Sequence, residues 1–210
     1  MPVTISQVGF RARTDTVEHT DNSAWVAALS RRWSQPLDTN FRVRFLLQRP
    51  PEGITLNGAY WTVYYSKNGG AYTFADNVAG VYTPNSVIRT VLSNVAGYVE
   101  GADCTQILGT KTFVSNNNAV TENQASFPTF SWAANASAET EVEAEFVFQV
   151  RSEYVQPGDS ITLKVYISDA EITGLYSAVP VISVGRDGKF EIQSNGIVTI
   201  NGGGTLTLNA

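Results

Sequence analysis

The sequence predicts an all-β protein, an antiparallel β-sandwich of Ig-like or jelly-roll-like layers with a short C-terminal β-hairpin or arm. Three observations carry that prediction. Apolar side chains recur with a period of two over several long runs. Gly- and Asn-containing turn signals separate those runs. Charged residues make up only 16% of the chain, below the roughly 25% of an average globular protein, and Thr, Ser, Asn and Gly fill the difference.

Each strand has its own pattern. In 41–48, Phe41, Val43, Phe45 and Leu47 alternate with Arg42, Arg44 and Gln48, with Leu46 the exception. Residues 59–66 alternate as well, and Asn68-Gly69 then supplies a two-residue hairpin turn, which predicts a partner strand at about 71–75. Val142, Ala144, Phe146, Phe148 and Val150 line one face of another strand. The turn Gln156-Pro157-Gly158-Asp159 leads to a strand through Ile161, Leu163, Val165 and Ile167, and VPVISV (179–184) is the next. Helical signals are weak. The segment 23–33 alternates at Trp25, Ala27 and Leu29 and is read as strand. The segment 84–96 is ambiguous between helix and strand, and 115–139 reads as one long loop. Two units are expected: a sandwich over 1–185 and a β appendage over 186–210. In the appendage, Phe190, Ile192, Ile197, Val198, Ile200, Leu206 and Leu208 offer too little apolar surface to stand alone. They are candidate partner contacts, either exchanged between chains or laid on their own sandwich.

The phrase Phe-Arg-x-Arg occurs twice, at 10–13 and 41–44. Period two directs Arg11, Arg13, Arg42 and Arg44 away from the apolar side of their strands. In 139–151, Glu141, Glu143 and Glu145 form a matching acidic ladder on the outer face of a core strand. The economical reading makes these strands neighbours in one sheet, with opposite charges setting register and order. The alternative is an anion- or partner-binding face.

Composition narrows the function. The net charge is −5 and the pI about 4.9, a poor basis for direct nucleic-acid binding. Cys104 is the single cysteine and His19 the single histidine, so neither a disulfide nor a Cys/His metal site is expected. Asp15, Glu18 and Asp21 lack EF-hand spacing and read as turn and cap residues. No G-x-S-x-G nucleophile turn is present. No catalytic residue, cofactor or metal is therefore assigned, and the chain is expected not to be an enzyme. No basic and apolar leader follows Met1, and no apolar run is long enough to span a bilayer. Folding in a cytoplasm without membrane association is the expectation. Among Trp25, Trp33, Trp61 and Trp132, the last lies in the apparent loop FPTFSWAANAS and is the best candidate for an exposed aromatic and partner contact.

FRARTD, SAWVAALSRRWSQPLDTNFRVRFLLQ, YWTVYYSKNGGAY, TEVEAEFVFQVRSEYVQPGDSITLKV and VPVISV occur in that order over about residues 8–185. Together they resemble a group of tailed-bacteriophage and prophage virion structural proteins. The resemblance implies an all-β particle component and brings no active-site residues with it. The group occurs in head-surface and tail-associated settings alike, so the resemblance does not choose between them; the expectation preferred here is a non-enzymatic capsid decoration or accessory protein at the particle surface. Such a protein, made in the host cytoplasm, would form a homo-oligomer, with a trimer favoured, on the major capsid protein or other virion proteins. Rival expectations are a tail-fibre or baseplate-associated host-binding protein that contacts glycans, and a glycan-processing enzyme with two facing carboxylates.

Overall fold

A computed structural model describes residues 4–51, 55–77, 86–115, 117–121 and 129–185. The fold is all-β, two sheets packed face to face. The first sheet runs β1 (Ser6–Thr14), β3 (Asn40–Arg49), β11 (Thr140–Val150), β7 (Ile88–Thr90) and β6 (Asp76–Asn77). Two further short strands, β8 (Thr112–Phe113) and β9 (Val120–Thr121), also pair with β11, so its far edge is tiled by β7, β9 and β8 in series. The second sheet runs β10 (Thr129–Trp132), β4 (Leu56–Lys67), β12 (Ser160–Ile167), β14 (Val181–Ser183) and β2 (Trp33–Ser34). There β5 (Thr73–Phe74) lies beside β4 and β13 (Ala170–Glu171) beside β12.

The core is the set of side chains that period two sends inward. Phe10, Phe41, Phe45, Phe146 and Phe148 come from the first sheet, and Trp61, Val63, Leu163, Val165 and Ile182 from the second. Phe45 meets Phe146 edge-on at 5.7 Å, and Trp61 stacks on Phe130 at 4.0 Å. Burying these rings is the main drive for closing the layers. The turns follow from their residues. Asn68 (φ 52°) and Gly69 (φ 74°) both take the left-handed conformation that the expected hairpin needs, and Tyr65 pairs with Thr73 across it. Pro157 and Gly158 (φ 98°) sit at the centre of the second turn, where the Asp159 amide donates to the Gln156 carbonyl at 3.0 Å.

Three local expectations need correction, and the open reading of 84–96 is resolved. Residues 23–33 are not one strand: Trp25 makes an isolated bridge to Arg13, and only Trp33 belongs to a strand, β2. Ala24 (φ 59°) and Ser30 (φ 55°) bend the segment, which lies along the free edge of β1. There Val26 N–H donates to the Ala12 carbonyl, Ser30 N–H to Phe10, and the Thr14 amide to Ala24. Capping that edge outweighs the alternation of Trp25, Ala27 and Leu29, because an open edge exposes unpaired backbone groups. Residues 115–139 are not one loop, since β9 and β10 occupy part of them. Among the described residues of 84–96, only Ile88–Thr90 is a strand, and turns follow it. Trp132 is not exposed. It is fully buried in β10, its indole N–H donates to the Thr140 hydroxyl at 2.9 Å, and its ring lies 6.4 Å from that of Trp61. The polar and small residues around it masked a strand whose alternate positions, Phe130 and Trp132, face the core. The appendage 186–210, with its seven candidate contacts, lies outside the described residues.

Replacing Trp132 with alanine is expected to cost about 3–5 kcal/mol of unfolding free energy, the usual loss for a buried aromatic. Equilibrium urea denaturation checks this, and a loss below about 0.5 kcal/mol, the range of surface substitutions, would contradict the buried position.

Candidate functional site

The two Phe-Arg-x-Arg phrases lie against each other. In the antiparallel register of β1 and β3, Phe10 faces Phe45, Arg11 faces Arg44, Ala12 faces Val43 and Arg13 faces Arg42. Like charges opposite one another oppose pairing. The acids of β11 resolve the conflict from the other side of β3, where Glu145 pairs with Arg44 and Glu143 with Leu46.

Glu145 is the centre. Its Oε1 accepts from Arg13 Nη2 at 2.6 Å and its Oε2 from Arg44 Nε at 2.8 Å, while Arg42 Nη1 stands 3.5 Å away as an ion pair without a hydrogen bond. Arg42 Nε donates to Asp15 Oδ1 at 2.6 Å, and its guanidinium lies 4.2 Å over the Tyr98 ring. Arg44 Nη1 reaches Glu143 Oε2 at 3.3 Å and the Thr105 carbonyl at 3.0 Å, and its Nη2 donates to the His19 carbonyl. The other oxygen of Glu143 accepts from three successive amides, Ile107 at 2.7 Å, Leu108 at 2.5 Å and Gly109 at 3.0 Å. Three cations, Arg13, Arg42 and Arg44, are thus balanced by three anions, Asp15, Glu143 and Glu145, and all six are buried.

The outer face of this sheet is therefore closed, not open to water as the strand pattern predicts. Loops 15–31 and 91–109 lie over it, and β11 is buried on both faces except at Gln149. The loops are tied down by the same charges. Asp15 accepts from Ser93 Oγ and the Asn94 amide, each at 2.6 Å. Asp21 gives its carbonyl to Arg13, and Tyr98 donates from its hydroxyl to the Glu145 carbonyl at 3.3 Å. Gly109 passes so close to the sheet that a Cβ there would fall 1.9 Å from Glu141 Oε1, so the Glu141 carboxylate would have to move aside.

Among the described residues, Arg11 and Glu141 stand outside the ion pairs. Arg11 donates to the Ala27 carbonyl at 3.1 Å with its guanidinium 4.6 Å over Trp25, and Glu141 accepts from Gln106 at 2.5 Å. Sequence reasoning missed Asp15 as the partner of Arg42, the three amides that hold Glu143, and Tyr98. The only available signal was Asp15 itself, two residues past Arg13.

Burial pushes the Glu145 carboxyl up, but Arg44, Arg13 and Arg42 outweigh it and hold the group below its ordinary value near 4.5. A depressed folded value means that its contribution to stability is present above the unfolded carboxylate range and is lost as pH falls through the folded value. Arg44 is held protonated more firmly than usual, as Glu145 overcomes the effect of burial. His19 stands edge-on to Tyr98 at 6.0 Å, and burial lowers its pKa. The Cys104 thiol is buried and pushed up to about 12, chiefly by desolvation, so it is a poor nucleophile. Asp15, Glu18 and Asp21 make no metal cluster, and no group of three or more His, Cys, Asp or Glu able to hold an ion occurs among the described residues. No helix among them is long and apolar enough to cross a membrane.

In comparisons with family models, curated proteins and solved structures, nothing matches the chain.

Removing one member of a buried ion network leaves its partners charged and desolvated, which costs about 3–5 kcal/mol. Arg44→Met and Glu145→Gln are each expected to destabilise by that order. The double variant is expected to lose less than the sum, by about 0.5–3 kcal/mol. Denaturant titration of all four proteins checks the cycle, and strictly additive losses would reject the pairing.

Proposed function

We propose that this chain is a non-enzymatic structural component of a phage particle, an accessory protein bound to the surface of the assembled shell. The ordered strand phrases over about residues 8–185 support the phage reading. The observation that carries the adhesive role is the outside of the clamped loops. Val26 (42% exposed) and Leu29 (49%) project from one loop, Leu92 (59%) and Val99 (58%) from the other. Asp15 is turned inward to the ion network, while these four positions present apolar side chains outward beside the exposed charges of Asp21, Arg31 and Asp103. Such contacts, individually weak, become effectively tight when repeated around a particle. A protein that binds only the assembled state stabilises it by mass action. On this reading the partners are the major capsid protein or neighbouring copies in a homo-oligomer, a trimer foremost. The segment 186–210 supplies further apolar residues for the attachment.

A second reading places the chain in a tail fibre or baseplate, in contact with the host through glycans. The half-exposed tyrosines of the second sheet favour it.

The test is the copy number of the chain per purified particle, by quantitative mass spectrometry against the major capsid protein. Copies comparable in number to the capsid subunits are expected. A handful in multiples of three or six would move the chain to the tail, and absence from the particle would overturn both readings. A chain lacking 186–210 is expected to stay folded and to bind shells more weakly, and unchanged binding would reject the attachment role of that segment.

A further inference from the structure

Asparagine followed by glycine occurs four times in the chain, at 57–58, 68–69, 195–196 and 201–202. The last two pairs lie outside the described residues. The first two are held in opposite ways. Asn57 and Gly58 stand near the start of β4, where the register with β10 jumps from Phe130–Ala59 to Trp132–Leu56. Asn57 and Gly58 together thus oppose the single residue Ser131, which makes a β-bulge. Pairing of β4 with β12 begins only at Trp61, so β12 does not brace the bulge from the other side. Gly58 takes φ 63°, and a Cβ built on it would meet no atom within 4 Å. Asn57 is exposed, and among the described residues its side-chain amide makes no hydrogen bond. Asn68 is the contrast. Its Nδ2 donates to Asp159 Oδ1 at 2.7 Å, its Oδ1 accepts from the Ser160 amide at 2.8 Å, and its own amide donates to the Ser160 carbonyl at 2.9 Å. Hydrogen bonds from Lys67 and then from Asn68 draw the Asp159 carboxyl down to about 2. The clamp on Asn68 therefore stays charged at neutral and alkaline pH.

We propose that Asn57 is a site of spontaneous deamidation in the folded protein, and that the clamp on Asn68 protects the second pair. The Gly58 backbone nitrogen attacks Cγ of the Asn57 side chain. The N–Cγ bond forms, the Cγ–Nδ2 bond breaks, and the side-chain nitrogen leaves as ammonia with the proton of the Gly58 amide. Water then opens the cyclic imide. Breaking the new N–Cγ bond gives aspartate at position 57, and breaking the bond to the main-chain carbonyl gives isoaspartate. Water is the only co-reactant. A nucleophile one residue from its target has a high effective concentration, so the rate depends on whether Cγ can swing onto the nitrogen. Glycine presents no Cβ to obstruct that approach. At Asn57 the amide is unbonded, the space around Gly58 is open, and the bulge releases the backbone from the ladder. At Asn68 the amide must first leave Asp159 and Ser160, which requires the two turns to part. The product adds a negative charge at an exposed position. Its isoaspartate form adds one backbone carbon to a bulge that already holds an extra residue. Leu56 and Ala59 stay packed in the core on either side, so the fold survives the change.

The experiment is peptide mapping of the full chain by mass spectrometry after incubation in mildly alkaline buffer at body temperature, once folded and once in urea. The peptides that carry 57–58 and 68–69 are read for the mass gain of amide-to-acid exchange and for separate elution of aspartate and isoaspartate. In the folded chain Asn57 is expected to convert about tenfold faster than Asn68, the factor that opening one or two hydrogen bonds costs. In urea, where neither pair is clamped, the two rates are expected to agree within about twofold. Asp159→Ala is expected to raise the Asn68 rate severalfold and to leave the Asn57 rate unchanged. Asn57→Gln abolishes the signal at position 57, because the longer side chain closes a larger ring far more slowly. If Asp159→Ala does not fold, the comparison of the parent chain folded and in urea carries the test. Two results would overturn the proposal: Asn57 intact in the folded chain while it converts in urea, or Asn68 converting in the folded chain as fast as Asn57. Because the reaction is read on the isolated chain and the copy number on particles, the site and the particle role can fail separately.

Discussion

Glu145 lies fully buried in the middle of the first sheet, with three guanidiniums converging on it. Such a group is stable only as a carboxylate among cations, because an isolated buried charge costs far more than a protein's net stability. The consequence spreads outward. The three arginines need two more anions, and these come from Glu143 on the same strand and from Asp15 beyond the end of β1. Glu143 in turn needs donors for its second oxygen, and three amides of loop 91–109 supply them. The order β1, β3, β11 and the path of both covering loops thus answer one electrostatic requirement.

Register depends on the same requirement. A slip of one residue between β1 and β3 or between β3 and β11 would turn guanidiniums and carboxylates into a core filled by phenylalanines. It would also turn the core phenylalanines onto the charged outer face, beneath the covering loops. Replacing a buried ion pair by fitted apolar side chains is often neutral or better for stability. What the network contributes is therefore the uniqueness of the arrangement and the fixing of two long irregular loops. Those loops then present Val26, Leu29, Leu92 and Val99 in fixed positions, as the proposed adhesive contact would need.

Period two made the long strands legible: β3, β4, β11 and β12 follow directly from their alternation, and Asn68-Gly69 and Pro157-Gly158 from the φ values their turns demand. The short pieces were not legible. β8 and β9 contain two residues each and exist because β11 offers an edge to pair with, a property of the partner and not of their own sequence. Trp132 misled for a related reason, since a four-residue strand amid Ala, Ser and Asn has too few alternations to read. The candidate site was half legible. Which strands carry the opposite charges could be read from spacing. That the charges are sealed from water could not, because no periodicity tells where residues 91–109 will lie.

The central claim is that Glu145 is an ionised, dry hub. Its side-chain carboxyl carbon, labelled with carbon-13 and followed by NMR as pH is lowered, tests this most directly. The account predicts a carboxylate shift that persists through the ordinary glutamate range and changes only below it or with acid unfolding. A titration of Glu145 at its ordinary value near 4.5 in the folded protein would contradict it, because the three arginines would then not outweigh the cost of burial.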